Sequence, residues 1–408
     1  MRLTIDRLGH LGDGVATTAA GAVFVTGVLP GEVVEGTLAG DRLMDVRIVT
    51  PSVHRVRPPC VHARTCGGCQ LQHVSDDFVA SWKGEVVRSA LEGQGLTAVF
   101  KPIVTSPPAS RRRATLSARR TKSGAMLGFH ARASDALVAI PECRLLHPDL
   151  IKAFPGLAEI VALSGSRTAE VSLAITRTMA GVDVVVQGGK PLDAALRMDL
   201  ARVVEAHRFA RLTLADETVA LRDQPMLRFG KASVTPPPGA FLQATDAGEA
   251  AILAAIRVAL GPQKRVVDLF AGLGTFTIPL ASSAEVLAVE GDSAMIAALE
   301  KAMRHTDGLH RVTVETRDLF RRPLEPDEFK TVTGVILDPP RAGAEAQVDR
   351  LAQAGVPVIA YVSCNPVTFA RDAKVLILAG YVLEWVQVVD QFRWSTHVEL
   401  IACFRSAT

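Results

Sequence analysis

The chain has 408 residues, 48% hydrophobic, 21% charged and 5% aromatic, enough apolar side chain for about two or three cores and too much for wholesale disorder. Lys and Arg number 45 against 42 Asp and Glu, and the net charge of +3 excludes a globally basic, histone-like nucleic-acid binder but not a local basic surface. Six cysteines are too few for a disulfide-built scaffold, no apolar run reaches about 18 residues, and Met1–His10 carries Asp6 without the apolar stretch of a secretory signal, so a cytoplasmic protein with reduced thiols is expected.

Residues 3–50 read as short strands punctuated by Gly9, Gly12, Gly14, Gly21, Gly27, Gly31, Gly36 and Gly40, the pattern of a small β-barrel. Pro51, Pro58 and Pro59 mark a loop, followed by three cysteines and a helix predicted over Asp76–Leu91. Asp76 is its expected cap, and Phe78, Trp82, Val86 and Val87 fall near helical spacing. Residues 101–235 read as mixed α/β, with strands at Val171–Ile175 and Val182–Val186. The breaker Thr235-Pro-Pro-Pro-Gly239 sets a domain boundary. Beyond it follow a helix (Asp246–Leu260), a strand (Arg265–Leu269) and a helix starting near Thr275. Strands then recur at Val286–Val289, Val312–Glu315, Val332–Leu337, Val358–Val362, Tyr381–Val389 and Val398–Phe404. Alternating β and α units predict a mostly parallel sheet covered on both faces. The expected division is 1–52, 53–235 and 236–408.

Val267-Asp-Leu-Phe-Ala-Gly-Leu-Gly-Thr275 joins a strand to a helix, and its glycines allow a tight turn and close ligand approach. Glu290 ends the next strand, where a carboxylate can accept hydrogen bonds from both ribose hydroxyls. A dinucleotide fold shares these features. The motif resembles the first motif of class I S-adenosylmethionine-dependent methyltransferases, however, and lacks the third glycine of the dinucleotide fingerprint. That resemblance implies cofactor contacts at Phe270, Gly272, Thr275 and Glu290, with Asp318, after the third strand, at the adenine.

Ile336-Leu-Asp-Pro-Pro-Arg341 closes the fourth strand and Tyr361-Val-Ser-Cys-Asn-Pro366 the fifth, both at carboxyl ends where open α/β sheets bind ligands. Cys364 is placed to expose its sulfur, and the helix N-terminus that follows is expected to favour the nucleophilic thiolate. Cys403, inside the apolar final strand, reads as a core thiol.

Ser363-Cys-Asn-Pro366, Asp338-Pro-Pro-Arg341, Ala240-Phe-Leu-Gln243 and His397-Val-Glu399 together resemble the RNA uracil-5-methyltransferases over essentially the whole chain. Thr275 departs from relatives that often carry Asn there. The resemblance implies a TRAM domain over the first about 50 residues. It also implies cofactor contact by Gln243, a pocket lined by Asp338, and Glu399 as general base. Carbon 5 of uracil is a poor nucleophile. Attack of the Cys364 thiolate on carbon 6 creates an enolate nucleophilic at carbon 5, which takes the methyl group of S-adenosylmethionine. A base then removes the carbon-5 proton and the thiolate leaves. A uracil in folded RNA must be swung out of its stack first. The family further implies that residues about 72–104 pack on the catalytic domain.

Cys60, Cys66 and Cys69 lie in one glycine-rich loop, and Cys143 offers a fourth thiol. Four thiolates suit a [4Fe–4S] cluster or zinc. The arrangement resembles the iron–sulfur branch of the family, which acts on 23S ribosomal RNA, whereas the transfer-RNA branch lacks these cysteines. The segment Lys101–Arg132 holds eight basic and no acidic residues. Within it, Arg111, Arg112, Arg113, Arg119, Arg120 and Lys122 are the expected phosphate contacts, with Phe129 and His130 as weaker candidates for stacking on or clamping bases. The architecture expected is an α/β multidomain chain: a small OB-like barrel, a central α/β domain with the cluster, and a Rossmann-like methyltransferase sheet. The expected function is 5-methyluridine synthesis in 23S rRNA by a monomer. A tRNA methyltransferase and a non-catalytic RNA-binding or assembly factor are the alternatives, and a dinucleotide-dependent redox enzyme is a distant third.

Overall fold

The computed structural model describes residues 1–407. Its largest sheet has eight strands, in the spatial order Val312–Thr316, Glu285–Glu290, Arg265–Leu269, Gly334–Leu337, Val358–Ser363, Leu400–Ser406, Tyr381–Asp390 and Val104–Thr105. The first five are parallel, and Leu400–Ser406 runs antiparallel between Val358–Ser363 and Tyr381–Asp390. The central strands Gly334–Leu337 and Val358–Ser363 are buried at every position, as a sheet covered on both faces requires. Helices Asp76–Glu92, Glu345–Ala354 and Pro366–Leu378 supply one layer, through Val87, Leu91, Val348, Leu351, Phe369 and Leu376. Helix Asp246–Leu260 covers the other face through Ile252, Ile256 and Leu260. Strand order reverses at Arg265–Leu269, whose neighbours are the next strand on one side and the fourth on the other. Such a switch point opens a crevice beyond the carboxyl ends.

Two local expectations are corrected. The helix expected from Thr275 is a single turn, Thr277–Leu280. Ser282 and Ser283 end it by donating their hydroxyls to the carbonyls of Pro279 and Leu280. The helix cap expected at Asp76 falls on Ser75, and Asp76 instead pairs with Arg393 from its first-turn position.

A seven-stranded sheet is built from Leu137–Ala139, Ala125–His130, Arg113–Arg120, Val171–Thr178, Gly181–Gln187, Arg211–Leu214 and Glu217–Leu221. Its core includes Leu116, Leu173, Ile175, Val184 and Leu212, with Leu157, Ile160 and Val204 from helices Phe154–Ser164 and Ala194–Ala206. The hairpin Leu227–Phe229/Ala232–Val234 belongs elsewhere: it shares a core with Leu273, Ile278, Ala288 and Leu299, beside the glycine turn.

A six-stranded N-terminal sheet surrounds Ile5, Ala16, Val23, Val25, Val34 and Leu43. One short segment closes both of its edges. Arg2–Thr4 pairs with Val33–Glu35, and Arg7–Leu8 pairs with Gly14–Val15. The two end strands of this sheet thus belong to one continuous stretch of chain.

Candidate active site

The register of the antiparallel strand builds the site. Ser363 pairs with Leu400, so the residue after one, Cys364, and the residue before the other, Glu399, meet at the same sheet edge. Asp338 follows the neighbouring strand at that edge. Asn365 caps helix Pro366–Leu378 by accepting from Val367 N–H at 3.1 Å, and its amide donates to the Arg341 carbonyl at 2.9 Å. The two loops that carry Asp338 and Cys364 are thereby tied together.

Three acids meet here: Glu399 and Asp268 are almost wholly buried, and Asp338 is half-buried. Glu399 is 4% exposed, and burial, with the charge of Asp338 added, pushes its carboxyl up to about 8. Burial and the charge of Asp268 push Asp338 up to about 7. The two carboxyls are coupled: ionisation of either one opposes ionisation of the other. Asp268, beneath the glycine turn, is likewise pushed up to about 7, chiefly by burial. Thr277 donates to its Oδ2 at 2.6 Å, while its buried Oδ1 has no hydrogen-bond partner.

The thiolate expected at Cys364 is corrected by its surroundings. Burial, Glu399 and Asp338 push the thiol up to about 11, against the weaker opposing pull of Arg341. Burial is the largest cause, and the two acids add to it. Cys403 is fully buried in the final strand, as expected of a core thiol.

Side-chain amides join the acids. Gln243 Nε2 donates to Asp338 Oδ2 at 3.3 Å, and Gln391 Nε2 donates to Gln243 Oε1 at 2.6 Å and to Glu399 Oε2 at 3.0 Å. Gln391 escaped sequence reasoning. Its only signal is a polar residue closing the apolar strand Tyr381–Asp390 next to the buried Asp390. Lys83 also escaped, though it sits at helical spacing among Val79, Trp82 and Val87. It is fully buried and donates to Asp390 Oδ1 at 2.6 Å and to the Phe392 carbonyl at 3.1 Å.

At the glycine turn, Phe270, Gly272 and Gly274 have φ of 62°, 55° and 81°. A Cβ on Gly274 would lie 2.5 Å from Leu299, so only glycine lets the turn seat on the helix behind it. Glu290 accepts from Gly272 N–H at 3.0 Å and Asp292 N–H at 2.9 Å, and is fixed against the turn. Phe270 packs on Phe320, and Asp318 accepts from the Phe320 amide at 3.0 Å. Thr275 lies within the turn itself.

Cys60, Cys66, Cys69 and Cys143 line one small cavity with Phe129, Ile140 and Leu145. The Gly68 and Leu145 amides donate to the sulfurs of Cys66 and Cys143, each at 3.4 Å. Burial pushes Cys69 up to about 12 and raises Cys66 and Cys143 as well. Among the described residues, no three His, Cys, Asp or Glu side chains form a group that could hold a metal ion. The four thiols expected to hold a metal centre nonetheless share this one cavity.

The basic stretch divides. Arg112 is 5% exposed and paired with Asp246 and Glu249, so it is corrected from phosphate contact to structural tie. Arg111 is half-buried beside Cys69 and Cys143, and Arg113 stacks over Phe241 at 4.4 Å. Arg119 and Lys122 are exposed and Arg120 is half-buried. Phe129 packs on the cysteine cavity and His130 pairs with Glu170, so neither is a free base-stacking group.

A parallel sheet with one antiparallel strand near its edge, and a glycine turn at the switch point, defines a methyltransferase of the S-adenosylmethionine-dependent fold. The Pyrococcus abyssi tRNA (uracil-54, C5)-methyltransferase shares this architecture, with a TM-score of 0.77 over 99% of both chains at 23% identity. Residues 216–404 match the family model described as tRNA (Uracil-5-)-methyltransferase. An uncharacterized RNA methyltransferase of Mesorhizobium japonicum is 42% identical over 98% of this chain and 97% of its own. The 23S rRNA (uracil(1939)-C(5))-methyltransferase RlmD of a Marinomonas species is 32% identical over 97% of this chain and 92% of its own. The chain belongs to the RNA uracil-5-methyltransferase family and is an enzyme of that type. Among the described residues, no helix is long and apolar enough to cross a membrane.

Proposed function

We propose that this protein methylates carbon 5 of a uridine in 23S rRNA through a covalent bond between Cys364 and carbon 6, with Glu399 removing the carbon-5 proton. The observation that carries the reading is the meeting of Cys364, Glu399 and Asp338 at one sheet edge beside the glycine turn. The unpartnered Asp268 Oδ1, and Gly272, where a Cβ would meet only the Met295 sulfur at 3.9 Å, fit a polar nucleoside ligand. Phe270, Gly272, Thr275, Glu290, Asp318, Gln243 and Asp338 would hold S-adenosylmethionine. When bound, that cofactor supplies a methyl group on a sulfonium.

The protein's own part follows from its charges. The Cys364 thiol must lose its proton, and a raised pKa leaves few thiolates at neutral pH. Each is correspondingly nucleophilic. The Sγ–C6 bond forms as the C5=C6 electrons move toward the uracil O4. After carbon 5 is methylated, Glu399 takes its proton. The enolate electrons then restore C5=C6 and the Sγ–C6 bond breaks, returning the thiolate. Glu399 must be ionised to act, and the amide of Gln391 favours that form.

Four cysteines on one closed cavity, two of them receiving backbone N–H···S bonds, support an iron–sulfur cluster at Cys60, Cys66, Cys69 and Cys143. Its binding would release the thiol protons. Arg119, Arg120 and Lys122 are the phosphate contacts retained in the reading. The N-terminal barrel would act as a TRAM domain on the same RNA. We draw the catalytic unit to include the hairpin 227–234 and residues 76–105, because both pack into its layers. The protein would act in the cytoplasm.

The test is methyl transfer from labelled S-adenosylmethionine to unmethylated 23S rRNA by the protein and by Cys364→Ala. Activity in the first and none in the second is expected. Equal activity in both would refute the covalent route, and labelling of tRNA alone would move the substrate to the other branch of the family.

A further inference from the structure

Three hydrogen bonds fix the Gln391 side chain and its amide sense. The Ala244 backbone N–H, which can only donate, lies 2.7 Å from Gln391 Oε1. That oxygen is therefore the acceptor, and Nε2 must be the atom facing Glu399 Oε2 at 3.0 Å and Gln243 Oε1 at 2.6 Å. Gln243 is then oriented in turn, with Nε2 toward Asp338 at 3.3 Å. Gln391 is 2% exposed, so water cannot replace these bonds. Its backbone is held on the N-terminal side. Val389 N–H donates to the Glu399 carbonyl at 2.9 Å, and Gln391 N–H donates to the Val389 carbonyl at 2.9 Å. The neighbouring Asp390 is pinned by buried Lys83. Gly248 completes the seat, since a Cβ there would lie 2.6 Å from the Gln391 Cβ.

The geometry points to Gln391 as a positioning residue that holds the Glu399 carboxylate, and through Gln243 the Asp338 carboxylate, in the orientation needed for removal of the carbon-5 proton. The inference rests on Glu399 being the base. Among the described residues, no other hydrogen bond reaches a Glu399 carboxylate oxygen. An N–H donated to a buried carboxylate favours the charged form and limits rotation of the group. The other charges around the site are Asp338 and Cys364 at the sheet edge, Arg341 with His397 on the adjoining loops, the Lys83–Asp390 pair behind Gln391, and Arg112 bonded to the Gln243 carbonyl. None of them donates to Glu399.

The consequence is specific to one step. Losing Gln391 Nε2 leaves formation of the Cys364–carbon 6 bond intact and slows its resolution. The test compares Gln391→Glu and Gln391→Met with the wild type on unmethylated 23S rRNA. Gln391→Glu keeps an acceptor for Ala244 N–H and removes the donor. Gln391→Met removes both at similar volume. A hydrogen bond to a charged group corresponds to about 10- to 100-fold in rate. The expected result is a kcat lower by about that factor and a KM for RNA within about twofold. A denaturation-resistant protein–RNA adduct should accumulate, and the pH profile of turnover should shift to higher pH. Unchanged kcat, adduct level and pH profile in both variants would overturn the proposal, as would lost activity without adduct. Glu399→Gln is run beside them. Wild-type turnover in that variant would remove the base assignment itself, whereas a trapped adduct there with normal Gln391 variants would remove only the role of Gln391.

Discussion

Replacing Glu399 by Gln should stabilise the free protein, and the gain should grow with pH. The carboxyl is 4% exposed and is pushed from 4.5 up to about 8, first by burial and then by Asp338. Below about pH 4.5 it is protonated in both folded and unfolded chains and contributes no pH dependence. Between 4.5 and about 8 the unfolded chain has lost this proton and the folded protein keeps it, so stability falls as pH rises. Above about 8 the penalty is complete. Each tenfold change in acidity is about 1.4 kcal/mol, which sets an upper limit of roughly 5 kcal/mol for the full interval. Local relaxation and water entry reduce that, and about 2–5 kcal/mol is the working range. The substitution keeps the shape, and the new carboxamide can still accept from Gln391. For a cooperative unit of about 150–250 residues, 1 kcal/mol moves Tm by roughly 2–4 °C. Calorimetry of both proteins from pH 5 to 9 should show Tm curves that diverge upward to about pH 8 by at least about 4 °C, then run parallel. A constant offset across that range, or a variant less stable at pH 8 than at pH 5 relative to the wild type, would show that Glu399 does not carry a raised pKa in the free protein.

Turnover should rise between about pH 7 and 9, because Glu399 works ionised and is pushed up to about 8 while Cys364 is pushed up to about 11; a bell centred below 7 would contradict both assignments. Lys83→Met leaves the buried Asp390 carboxylate without its cation and should cost about 3–5 kcal/mol in urea unfolding, with part of it recovered in the Lys83→Met/Asp390→Leu double variant. Arg119→Ala and Lys122→Ala should each lower the salt dependence of RNA binding by about one phosphate contact while leaving Tm within about 1 °C. Arg112→Ala should do the reverse, losing stability because the Glu249 carboxylate is left without its cation. Anaerobically purified protein should contain iron and inorganic sulfide that Cys69→Ser loses; zinc without sulfide would replace the cluster with a zinc site.

The alternation of strands and helices after residue 240 was legible because it is local: apolar runs of strand length and glycine breaks appear within single stretches of chain. The N-terminal turns were legible for the same reason. What escaped depends on register. Nothing in the segment Asp390–Gln391–Phe392 announces a link to Glu399, since the contact exists only once Val388 and Leu400 pair across antiparallel strands. Arg111, Arg112 and Arg113 look alike in sequence, and strand alternation together with the approach of Asp246–Leu260 decides which one is buried. Arg112 turns inward to meet Asp246 and Glu249, while Arg113 turns over Phe241. The thiolate expected at Cys364 failed on magnitude. A helix N-terminus acts like about half a positive charge, and it is set here against burial first and then the charges of Glu399 and Asp338. The same competition explains why the chemistry is divided among residues. Carboxylates close enough to take a proton from carbon 5 also suppress the thiolate that must attack carbon 6. A donor aimed at Glu399 acts on the base alone: it stabilises that carboxylate as an anion and orients it, and leaves the thiol to be deprotonated against it. Gln391 is the residue that the fold places to do so.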